Sequence, residues 1–214
     1  MEIRVRRAGM AKRQATPPRM TFEEFLDWER RQETKHEFVD GVAVAMAGGT
    51  EAHNIIQANL LASSLTKLRG GPCRPFPSGM LLRTGNGKGR YPDMTIDHGP
   101  RNPSNLVAPK PVVVFEVLSP DTQREDRTLK LADYNATPSI AHYVMVEPSE
   151  PLAHVYHRGP HGDFILRPRE IGGMDASIEL PAASLTLMMS EIYDGLDFDL
   201  TVEAVSSEDT PNPT

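Results

Sequence analysis

Residues 112–119 read VVVFEVLS, and this stretch decides the fold. Glu116 apart, it is rich in β-branched and aromatic residues and shows no polar/apolar alternation. Such a run predicts a central strand covered on both faces. An ionised carboxylate in that strand is costly unless something pairs with it or coordinates it. Glu116 therefore marks either a structural ion pair or a site.

Working outward, the segment YPDMTID at 91–97 is a further predicted strand, with Asp93 at its start. The connection from Asp93 to Glu116 is short enough for adjacent strands. Two carboxylates on neighbouring strands can point at one cation, and hard divalent metals such as Mg²⁺ and Mn²⁺ prefer oxygen ligands. The main-chain carbonyl of Val117 offers a third ligand, and Glu37, in His36-Glu37-Phe38, a fourth. A cation near such a site would stabilise developing phosphate charge. Leu118 stands where a strand-borne lysine would be, two residues after Glu116. Lys130, on the helix that follows, can reach back over the strand's end.

Each residue also has a plainer reading. Glu116 can be a strand-end acid paired with an arginine. Asp126 and Lys130 are spaced as an i,i+4 surface pair, and Glu37 fits a solvent-facing strand position. Ser119 and Thr122 fit helix caps. Tyr134, one turn after Lys130, reads as packing, and His53 as a structural hydrogen-bonder. His154, His157 and His161 fall on a strand pair and a turn, which argues against a zinc site.

The remaining elements follow from local chemistry. Thr21 and Glu24 form a capping box that opens a helix with Phe22, Phe25, Leu26 and Trp28. HEFVDGVAVAM, 36–46, predicts a hairpin about Asp40-Gly41. Residues 51–69 predict an amphipathic helix with Ile55, Ile56, Leu60, Leu61, Leu65 and Leu68 as its stripe, ended by Gly70-Gly71-Pro72. Strands follow near 73–77 and 79–84. TGNGKGR, 84–90, lacks the GK[ST] ending of a phosphate-binding loop and reads as a hairpin turn. A helix is predicted from about 124 to 136, then a strand in IAHYVMVEP. LAHVYHR and DFILRPRE read as an antiparallel pair across RGPHG. ASIELPAASLTLMMSEIYDGL, 176–196, reads as a short strand and a helical turn. No internal repeat is visible. This order predicts an α/β fold, bordering on α+β, with a mixed sheet rather than a doubly wound one.

The chain has 214 residues and a formal charge of −6. That argues against a surface that grips nucleic acid everywhere, though a local basic channel stays open. Residues 1–19 read as a basic arm, suited either to attracting nucleic acid or to an unstructured leader. Residues 20–200 read as one domain and 201–214 as a polar, disordered tail. The single cysteine, Cys73, leaves no intrachain disulfide, which fits a reducing compartment. No apolar run is long enough for a membrane span and no signal-peptide core is present, so a cytoplasmic location is expected.

Glu37, YPD ending at Asp93, EVLSPDT from Glu116, Lys130, Tyr134 and HYVMVEP, taken together, resemble the Uma2 restriction-endonuclease family of the PD-(D/E)XK nuclease-like superfamily. HEFVDG and His53-Asn54 add to the likeness, which runs from about residue 20 to 195. The resemblance implies a restriction-endonuclease-like core, a central mixed β-sheet flanked by helices, with a Mg²⁺-dependent site. Asp93 matches the motif's aspartate and Glu116 its second acid; Leu118 departs from the strand lysine, and Lys130 is the position that fits a migrated one. It also suggests a homodimer. Three functions stay open: a metal-dependent endonuclease acting on DNA, a non-catalytic nuclease-like domain that binds nucleic acid or protein, and a hydrolase of another phosphoester.

Overall fold

The computed structural model describes residues 19–119 and 125–198. The readings of the basic arm and the polar tail, and Thr122 as a cap, lie outside the described residues. VVVFEVLS is at the centre, as its pattern predicts: β7 (Pro111–Val117) is buried at every position. Its neighbours in a six-stranded sheet are β6 (Met94–Asp97), antiparallel, and β8 (His142–Val146), parallel. The full order is β10-β9-β8-β7-β6-β3, with β3 (Arg74–Pro77) and β10 (Arg169–Gly172) at the edges and β9 (Leu152–His157) antiparallel to β8. The sheet is therefore mixed.

Helices cover both faces. On one, α2 (Glu51–Lys67) sets Ile56 and Leu60 against Met94, Ile96, Val113 and Phe115. On the other, α3 (Glu125–Asn135) sets Tyr134 against Val114, Leu118, Tyr143 and Met145. Each fully buried Val or Phe of β7 contributes on the order of 1.5–3 kcal/mol by leaving water. A smaller four-stranded sheet, β2-β1-β5-β4, is built from β1 (His36–Val39), β2 (Val42–Ala45), β4 (Leu82–Arg83) and β5 (Gly89–Arg90). The β1–β2 turn uses Asp40 and Gly41, both at positive φ, as the Asp-Gly pair predicts. Helix α1 (Phe22–Glu29) carries the expected capping box and buries Phe22 and Phe25 beside Phe38.

Three expectations change. The buried seam of α2 is Ile56, Leu60 and Ser64, with Leu68 buried at its C-cap, while Leu65 is exposed. Ser64 takes an inward place and the stripe is narrower than the leucines suggest. DFILRPRE does not pair throughout: only Phe164 bridges Arg158, and the ladder resumes at Arg169. Pro168 has no N–H to give a ladder, so pairing starts just beyond it. The C-terminal segment holds two strands rather than one, β11 (Ser177–Leu180) and β12 (Leu185–Met188), paired before the short α4 (Met189–Ile192). Among the described residues no helix is long and apolar enough to cross a membrane.

Candidate active site

Pro92 keeps the chain out of the ladder until Met94, so Asp93 stands just ahead of β6. The pair Met94–Phe115 sets the antiparallel register, and one step further places Asp93 across from Glu116. The two acids sit together as their spacing predicts. Asp93 is 9% exposed and Glu116 6%.

Each carboxylate is held by its surroundings. Asp93 Oδ2 accepts from the Val117 N–H at 2.7 Å. Its Oδ1 meets His53 Nε2 at 3.1 Å and accepts from Gln57 Nε2 at 3.2 Å. His53 and Gln57 are one turn apart on α2 and so share a face. Lys130 Nζ donates to Glu116 Oε2 at 2.9 Å, and Tyr134 Oη donates to Oε1 at 2.6 Å. These donors are also one turn apart, on α3. Lys130 does reach back over the strand end. Tyr134 is buried in packing, as expected, but its hydroxyl also serves the site. His53 makes the hydrogen bond foreseen for it, and its partner is Asp93.

The charges are not balanced at Glu116. Burial pushes its carboxyl pKa up to about 7. Lys130 and the Tyr134 hydroxyl pull the other way, while the neighbouring Asp93 and Glu37 charges push it further up. Hydrogen bonding to Asp93 raises the His53 pKa, against the effect of burial. Burial, then the Glu116 charge, holds the Tyr134 hydroxyl far above its ordinary value, so it is a donor.

Glu37 lies close enough to act on Glu116 electrostatically, yet its own oxygens are engaged elsewhere. Oε2 accepts from Arg90 Nη1 at 2.5 Å and Oε1 from the Tyr91 N–H at 3.3 Å. Arg90 also donates to Asp133 Oδ2, from Nε at 2.9 Å and Nη2 at 2.6 Å. Asp133 Oδ1 receives Lys88 Nζ at 2.9 Å and Asn86 Nδ2 at 2.7 Å. Thus the TGNGKGR segment is the hairpin turn its sequence predicts, and three of its side chains also anchor α3. The sequence reading missed Arg90 and Asp133. Asp133 was within reach, since it is one helical turn from Lys130. Arg90 gave only one sign, a basic residue directly ahead of Tyr-Pro-Asp. His154 and His157 occupy opposite faces of β9, as their odd spacing requires, and His154 stands 3.6 Å from Glu147 and 3.8 Å from Glu170.

Among the described residues no three His, Cys, Asp or Glu side chains cluster tightly enough to hold a metal ion by themselves. Two carboxylates do fit a hard cation that keeps several waters, as Mg²⁺ does. Glu116 has about four acceptor positions, and Tyr134 and Lys130 account for two. An opposite charge is also what the raised Glu116 pKa calls for.

Comparison with known proteins gives the chain a family and the fold a relative. Residues 22–190 match the Uma2 family, described as "Putative restriction endonuclease". Two proteins of Synechocystis sp., both described as uncharacterized, are similar in sequence. One, slr1290, is 32% identical over 85% of this chain and 95% of its own. The other, sll1609, is 27% identical over 77% and 94%. A crystal structure from Anabaena variabilis, titled a putative nuclease belonging to DUF820, superposes with a TM-score of 0.65 at 18% identity, covering 81% of this chain and 97% of that one. That likeness is one of fold, and it agrees with the expected restriction-endonuclease-like core.

Proposed function

The chain belongs to the Uma2 family, and on that premise we propose that it is a metal-dependent endonuclease hydrolysing phosphodiester bonds in DNA. The observation that carries this reading is the Asp93–Glu116 pair across two strands, with Lys130 2.9 Å from Glu116. Asp93 and Glu116 would hold Mg²⁺ or Mn²⁺, with the Val117 carbonyl and waters completing the shell. Glu37 joins that shell only by giving up Arg90. Bound there, the cation supplies Lewis-acid polarisation of a phosphoryl oxygen and a lower pKa for water.

The chain's own residues do the rest. His53, Gln57 and the Val117 N–H fix the Asp93 carboxylate, and Tyr134 fixes that of Glu116. Lys130 brings a positive charge beside Glu116, where it can stabilise the charge developing on the phosphoryl group. A homodimer would supply two such sites, one for each strand of a duplex.

The test is cleavage of supercoiled plasmid in Mg²⁺ or Mn²⁺. The expected result is nicked or linear product from the wild type and at least a hundredfold loss in Asp93→Asn and Lys130→Met. Equal cutting by all three proteins contradicts the assignment. The second reading, a non-catalytic nuclease-like binding domain, draws on one observation: Lys130 and Tyr134 already give Glu116 partners without a cation. It predicts nucleic-acid or protein binding with no cleavage.

A further inference from the structure

Arg90 lies three residues before Asp93, is 3% exposed, and touches two different layers of the fold. One side of its guanidinium meets Glu37 of β1; the other meets Asp133 of α3, which is fully buried. Asp133 stands between Lys130 and Tyr134 on α3, the two side chains that hold Glu116. The same polypeptide stretch that carries Asp93 is thus clamped to the helix that carries Lys130.

We propose that Arg90 is a positioning residue that locks α3 against the small sheet and so fixes where Lys130 meets the Asp93–Glu116 pair. This deepens the nuclease reading and rests on it for its second consequence below. The clamp needs arginine in particular. Its planar fork spans two carboxylates in fixed geometry, whereas lysine is a point charge on a flexible stem.

The end of α3 has separate anchors, so loss of the clamp need not unfold the helix. Arg158 donates to the carbonyls of Tyr134 at 3.3 Å, Asn135 at 3.1 Å, Thr137 at 3.0 Å and Ile140 at 2.8 Å. The Gly85 N–H donates to Thr137 Oγ1 at 2.9 Å. A Cβ at Gly85 would stand 1.6 Å from the Ala136 carbonyl oxygen, so the hairpin tip seats directly on the helix end. What the clamp adds is lateral: it holds the Asp133 face, and with it the side that presents Lys130.

A double-mutant cycle on the full chain tests this. Urea unfolding in EDTA is measured for the wild type, Arg90→Lys, Lys130→Met and the double variant. If Arg90 positions Lys130, the midpoint shift caused by Lys130→Met falls by half or more in the Arg90→Lys background. A role confined to neutralising Asp133 predicts equal shifts in both backgrounds, and that result overturns the proposal. Should Arg90→Lys fail to fold, Asp133→Asn replaces it in the same cycle, with the same two outcomes. Cleavage of supercoiled plasmid in Mn²⁺ is the second readout: Arg90→Lys is expected to cut at least tenfold more slowly than the wild type, because a displaced Lys130 no longer meets the phosphoryl group, and undiminished cutting overturns the proposal. If the wild type cuts no plasmid, the nuclease reading fails while the urea cycle still decides the role of Arg90.

Discussion

Two buried carboxylates, one on β7 and one on the α3 helix that packs over it, meet opposite electrostatic fates. Asp133 is completely buried, yet its pKa is lowered: burial raises it, and bonds from Asn86, Lys88 and Arg90 outweigh burial. Glu116 is also shut off from solvent but is packed more densely by protein on all sides, and its pKa rises to about 7, with burial as the largest cause. Among the described residues Lys130 and the Tyr134 hydroxyl face it, and Asp93 and Glu37 repel it. Depth of burial and the balance of partners together thus separate the two acids. Asp133 has its counter-charges built in. At Glu116, among the described residues, Lys130 and Tyr134 do not outweigh burial and the neighbouring acids.

The largest effect should come from breaking the satisfied member. Asp133→Ala leaves Arg90 and Lys88 without their shared carboxylate in a closed space. The expected cost is about 3–5 kcal/mol, read from urea unfolding; a cost below about 1 kcal/mol would show that this network is not what holds α3.

Glu116 should behave in the opposite sense. Its folded pKa, about 7, lies above the ordinary 4.5, so between those values the native state binds the extra proton. The contribution of that protonation to stability is complete below pH 4.5 and is lost as pH rises through 7. In EDTA, the wild type should therefore lose roughly 3 kcal/mol more than Glu116→Gln between pH 4.5 and 8. Parallel pH profiles of the two proteins would mean that Glu116 is as well compensated as Asp133.

A smaller effect belongs to Tyr134→Phe, which removes the 2.6 Å hydroxyl donor to Glu116 and keeps the ring. The expected loss at pH 8 is about 2 kcal/mol. At pH 4.5, where the carboxyl is neutral, the loss should be smaller. The smallest is Gln57→Ala, expected to cost about 1 kcal/mol, because Asp93 keeps His53 and the Val117 N–H.

The fold was legible where local chemistry and long runs agree. An apolar run interrupted only by Glu116 named the central strand, a capping box opened α1, and Asp-Gly turned the first hairpin. The acid pair and Lys130 were legible because they lie on those strong elements. The small sheet was harder, since β4 and β5 have two residues each and no periodicity can show in so short a span. Arg90 and Asp133 are 43 residues apart, so no local pattern joins them. The hydroxyl of Tyr134 was hidden for another reason: a tyrosine at a packing position reads the same whether or not a carboxylate waits at its hydroxyl.

Titration of Mn²⁺ into the wild type, Asp93→Ala and Glu116→Ala by calorimetry tests the central claim most directly. The account predicts binding to the wild type and its loss in both variants, because Asp93 and Glu116 would each supply a carboxylate to the cation. Identical heats from all three proteins would contradict it, and would make Glu116, like Asp133, a structural acid.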